Sequence, residues 1–177
     1  MDKTFIDIAQ YNHVDISNQI DNEWKRDSIL AFVNEQKNYY YSVRLRNMEK
    51  SKLKKDFINP LETEAARRHN KRVINLVFGY MIFKIIQEMS ISITKILICP
   101  DHRPTKEVHH YIQKISSFLS RPNLTNDVDI SFINRKIYEI DKKTPAHRWA
   151  KKVLSGRKKA NYIIDYKELH EMISKLL

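Results

Sequence analysis

The sequence predicts an α/β protein, a small mixed sheet of about four strands with helices packed on it, formed as a single domain over residues 1–177. Three observations predict it. The β-rich runs Thr94-Lys95-Ile96-Leu97-Ile98-Cys99 and Asp129-Ile130-Ser131-Phe132-Ile133-Asn134 enclose a helical stretch, and strand, helix, strand favours a right-handed crossover. Asn59-Pro60 and Thr144-Pro145 each place an N-capping side chain before a proline at the first helical position. A hydrophobic content of 42% is enough to fill a core at this length.

Taken in order, residues 4–10 alternate and read as a strand with Asp7 between Ile6 and Ile8. Residues 12–22 are polar and acidic and read as a loop. Residues 23–36 set Trp24, Ile29, Leu30, Phe32 and Val33 at nearly helical spacing and read as a helix, whereas residues 39–46 read as a strand. Residues 50–56 form a basic connection. A long helix is expected from Asn59 to about Met89, wet along its first half and apolar nearly all round in its second.

After the 94–99 strand, Thr105 caps a helix that sets Val108, Tyr111, Ile112, Ile115 and Phe118 on one face. The helix begun by Pro145 turns Ala146, Trp149, Ala150 and Val153 inward and His147, Arg148, Lys151 and Lys152 outward, and ends at Gly156. Asp165 with Glu168 opens a last helix in the manner of a capping box.

Charge is unevenly placed. The chain is +11 overall, yet residues 1–36 hold three basic and seven acidic side chains, leaving 29 basic and 14 acidic in residues 37–177. An acidic N-terminal segment thus precedes a basic body of net +15, the balance expected of a partner for phosphate backbones. A composition rich in Lys, Ile and Asn offers a second source of the excess. The densest run lies between Arg135 and Lys159, where Arg135, Lys136, Arg148, Lys151, Lys152, Arg157, Lys158 and Lys159 are the candidate phosphate contacts. The competing reading is an ordinary solvated helix face. A second cluster at Arg67, Arg68, Lys71 and Arg72, preceded by the basic side chains from Arg44 to Lys55, could frame one groove with the first or, on a separate face, explain only solubility.

Acidic residues are the candidate chemistry. Asp7 within an apolar strand and Asp101 at a strand end could share Mg²⁺ or Mn²⁺ through oxygen ligands, with Glu64, Glu62, His102 or His109 completing the shell or moving a proton. Equally, Asp7 could bond a backbone amide and Asp101 cap the turn before Thr105. Without such chemistry no cofactor is expected.

The order of an Asp-bearing first strand (Phe5-Ile6-Asp7-Ile8), a later strand at 39–46, a long helix, Ile96-Leu97-Ile98-Cys99-Pro100-Asp101, a helix, a strand and a final basic helix resembles the RNase H-like fold. That resemblance implies carboxylates on the first strand and a later strand, with more on helices, holding two metals that cut nucleic acid. Asp7 and Asp101 would then be ligands, with Glu62 or Glu64 a third. On the helix from Pro145 to Ser155, where a last ligand is implied, no acidic residue stands and His147 is the nearest candidate.

The expected function is binding of nucleic acid, DNA or RNA, as a metal-dependent RNase H-like nuclease or an inactive relative. The alternative is a non-catalytic adaptor or regulatory protein that meets a protein partner through the acidic segment. That segment is also a candidate autoinhibitory cover for the basic face. A single Cys99, no signal-peptide pattern and no apolar run long enough to span a bilayer lead to a cytoplasmic expectation. Only two glycines, Gly79 and Gly156, exclude the P-loop and dinucleotide fingerprints. His109 and His110 are adjacent on a helix and point apart, so at most one could join His102 and Asp101 around zinc.

Overall fold

A computed structural model describes residues 11–21, 24–89, 95–98, 107–121 and 144–177, together with the backbone of residues 4–5, 129–132 and 138–139. The chain is α/β, as expected. Its elements are β1 (Thr4–Phe5), β2 (His13–Ser17), β3 (Ser28–Asn34), β4 (Tyr39–Leu45), α1 (Asn47–Phe57), α2 (Glu64–Glu88), β5 (Lys95–Ile98), α3 (Glu107–Phe118), β6 (Asp129–Phe132), β7 (Tyr138–Glu139), α4 (Pro145–Leu154), β8 (Tyr162–Ile163) and α5 (Tyr166–Leu176).

Among the described residues the main sheet has six strands in the order β6-β5-β2-β3-β4-β8, counting the two-residue edge strand β8. β2, β3 and β4 form an antiparallel meander. On its other side β2 runs parallel to β5, and β5 parallel to β6, so β5, α3 and β6 make the expected crossover unit. β1 and β7 pair in a separate parallel ribbon.

Three segments depart from the sequence reading. Residues 28–34 are a strand rather than a helix. Every residue of Ser28–Asn34 is buried, because both faces of β3 are covered, and the resulting continuous apolar run mimics a helical stripe. Residues 13–17, read as loop, are the strand next to it. Residues 47–57 are a helix rather than a connection, and two charged residues, Glu49 and Lys50, lie on its buried side. Arg46 grips Glu49 through two bonds of 3.0 Å. Lys50, fully buried, donates to Gln19 O (3.1 Å), Arg26 O (3.0 Å) and Ser28 Oγ (2.9 Å), clasping the β2–β3 connection against α1.

The long helix also starts later than Asn59-Pro60. Thr63 is the N-cap, accepting from Ala66 N–H at 3.2 Å. Asn59 instead accepts from Leu61 N–H in a local turn and exchanges two bonds with Asn70. The Thr144 cap, Pro145 and the Asp165 cap stand as expected. Gly156 closes α4 with φ of 77°, a conformation that suits glycine at a helix end.

The strands alternate cleanly between two faces. Val14, Ile16, Leu30, Phe32, Tyr41, Val43 and Leu45 point to one, where α2 and its neighbours α3 and α5 build the larger core. At the edge of that core, Glu168 of α5 accepts from the hydroxyls of Tyr80 (2.8 Å) and Tyr162 (2.7 Å), joining α2, β8 and α5. Ile29, Ala31 and Val33 point to the other face, where Ala146, Ala150 and Val153 of α4 cover them. No helix among the described residues is long and apolar enough to cross a membrane.

Candidate functional site

The register of β2 determines what α4 meets. Val14 and Ile16 enter the larger core, so His13, Asp15 and Ser17 must face α4. All three are buried. Polar side chains survive there because the start of a helix brings N–H groups that need acceptors.

The first turn of α4 uses them. Pro145 has no N–H. Ala146 N–H donates to His13 Nε2 at 2.9 Å, and His147 N–H donates to Thr144 Oγ1 at 3.2 Å. The Thr144 hydroxyl in turn donates to Asp15 Oδ2 at 3.3 Å, and His147 Nδ1 stands 3.4 Å from the same oxygen. Asp15 is thus the buried anchor, and His147, its side chain 26% exposed, is the member that meets solvent.

Burial sets the electrostatics. It raises the Asp15 carboxyl above the ordinary carboxylate range, opposed by the charge of His147 and by hydrogen bonds from the Ile16 backbone, Thr144 and His147. It lowers His13 to about 4, with the Arg148 charge acting in the same sense and the Tyr11 backbone against it. His13 is therefore a neutral ring whose Nε2 accepts and whose proton sits on Nδ1.

Two chemistries are open to this arrangement. A buried carboxylate that orients an imidazole makes His147 a proton donor or acceptor at the surface. One carboxylate oxygen and one imidazole nitrogen are also a partial donor set, better matched to Mn²⁺, which accepts nitrogen, than to Mg²⁺, which holds to oxygen. Among the described residues, no three His, Cys, Asp or Glu side chains converge as a metal cluster.

The expected residues fall in different places. Asp7, Asp101, His102, Arg135 and Lys136 lie outside the described residues. Glu64 does not join Asp15. It sits exposed in the first turn of α2, ion-paired to Arg68 one turn on, and α2 packs on the opposite face of the sheet. The same geometry separates the two basic clusters. Arg67, Arg68, Lys71 and Arg72 belong to α2, and Arg148, Lys151 and Lys152 to α4, so the helices do not frame one groove between them.

Part of the second cluster is structural. Lys50 is internal, Arg44 binds Asp27, and Arg46 binds Glu49. The acidic segment is not a detachable cover either, because β2 and β3 are the central strands of the sheet. His147, expected to point away from the core, turns toward Asp15.

α4 and the turn after it hold the remaining candidates. Arg148 lies 3.6 Å from Glu35, and Lys151, Lys152, Arg157, Lys158 and Lys159 are exposed. Between Thr144 and Ile164 the chain has six Lys or Arg and no Asp or Glu.

The sequence reading missed Asp15 and His13. The signal was the period of two in His13-Val14-Asp15-Ile16-Ser17, obscured because the polar positions also lie inside.

No protein-family model, curated protein or solved structure matches the chain. What fold and site define is a class, an α/β protein with a mixed sheet and a buried aspartate on its central parallel-antiparallel junction strand.

Proposed function

We propose that this is a nucleic-acid-binding protein with a resemblance to RNase H-like proteins, in which Asp15 rather than Asp7 occupies the carboxylate position on the first strand of the sheet. The observation that carries the reading is the Asp15–His147 pair. The resemblance implies one functional side chain on that strand and one on the helix begun by Pro145, and these two stand 3.4 Å apart. Phosphate contacts come from the exposed side chains Lys151, Lys152, Arg157, Lys158 and Lys159, on the same helix and the turn after it, a stretch of sequence without an acidic residue. If a metal is bound, Asp15 and His147 hold it and it supplies activation of water against a phosphodiester.

Salt titration of binding to single- and double-stranded DNA and RNA, with and without Mn²⁺, tests this. The logarithm of affinity should fall linearly with the logarithm of salt, and a Lys151→Gln/Lys152→Gln variant should reduce the slope by about 2. Cleavage that needs Mn²⁺ and is lost in Asp15→Asn would establish the enzyme. Affinity indifferent to salt would refute the phosphate-binding reading.

A further inference from the structure

Beside the basic turn lies an aromatic pair that the phosphate contacts do not use. Trp149 of α4 and Tyr40 of β4 are both half-buried, their rings 4.6 Å apart and tilted by 30°. The exposed Lys158 sets its ammonium 5.8 Å from the indole centroid. The indole N–H is buried and has no hydrogen-bond partner among the described residues, so there the ring is held by its faces and not by its polar edge. Arg148, Lys151 and Lys152 are its exposed neighbours in sequence on α4, Arg148 lying 3.6 Å from Glu35.

This combination separates single strands from duplexes. Paired bases hide their faces in the stack and offer only phosphates to a basic surface. An unpaired base has a free π-face, and aromatic side chains in a positive surface take it with little regard to sequence. We infer that Tyr40 and Trp149 form a stacking platform for the bases of single-stranded nucleic acid, and that Lys158 is its displaceable cover. A base entering over the indole moves the lysine aside, and the ammonium stays within reach of the phosphate joined to that base. The inference rests on the proposed nucleic-acid binding and adds to it a preference for unpaired strands.

The chain has two tryptophans, so a Trp24→Phe variant leaves Trp149 as sole reporter. Titration with oligo(dT) should quench its emission. A duplex of equal length, and inorganic polyphosphate, which has the charge without the bases, should bind without comparable quenching. In Trp149→Leu, checked for a cooperative melt, affinity for oligo(dT) should drop by about tenfold and duplex affinity should hold. If that variant does not fold, the quenching comparison decides alone. Equal quenching by polyphosphate, or salt-dependent binding of oligo(dT) with unchanged emission, overturns the platform and leaves phosphate binding standing. Absence of salt-dependent binding to any of the three overturns both.

Discussion

His147 Nδ1 lies 3.4 Å from Asp15 Oδ2, across an interface between the central strand of the sheet and the first turn of α4. The two residues are far apart in sequence and belong to segments whose expected roles were loop and outward helix face. Their meeting is a consequence of how α4 docks. Its capping residue Thr144 and its free N–H groups seek the polar side of β2, and His147 follows Thr144 by three positions.

Asp15→Asn should stabilise the protein at neutral pH. Burial raises the folded-state pKa of Asp15, so the folded protein holds that proton more tightly than the unfolded chain does. Stability from this group therefore falls as pH rises through the raised value, and the ionised carboxylate is a net burden above it. A gain of about 1 kcal/mol, roughly 3 °C in Tm, is expected, shrinking as pH falls toward the ordinary carboxylate range. Thermal melts against pH check it. A lower Tm at neutral pH would mean that the contact with His147 outweighs the burial.

His13 should make the fold acid-sensitive. Its pKa is about 4 when folded against 6.5 as the ordinary value, so its contribution is full above 6.5 and is lost as pH falls through the interval down to about 4. Complete loss amounts to about 3 kcal/mol, because protonating Nε2 also evicts the Ala146 N–H. Urea unfolding at pH 7 and 5 should show the decline, and His13→Gln should flatten it.

Lys50→Met should destabilise strongly. Methionine fills the space but leaves Gln19 O, Arg26 O and Ser28 Oγ without their buried donor. A loss of about 2–4 kcal/mol is expected from urea denaturation. A change under 1 kcal/mol would show that water replaces the ammonium.

Thr144→Val keeps the shape and removes the hydroxyl that caps His147 N–H and bonds Asp15. Stability should fall by about 1 kcal/mol. Thermal or urea denaturation checks it, and an unchanged stability would show that water replaces the hydroxyl at the cap.

By itself the sequence determined the class of fold, the β5–α3–β6 crossover, the Tyr39–Leu45 strand and the starts of α4 and α5. These are set by local signals: capping side chains, proline at the first helical position, and apolar periodicity against one solvated face. The basic character of residues 148–159 was equally legible, because charge is additive along a chain. Tertiary structure decided the rest. β3 is covered on both faces, which erases alternation and leaves an apolar run that periodicity assigns to a helix. β2 buries polar residues whose partners arrive from α4, more than a hundred positions later, and no local rule marks such a strand. Whether Lys50 is a surface charge or a buried clasp, and which carboxylate meets His147, depend on which faces pack together, and that is a property of the assembled sheet and not of any single segment.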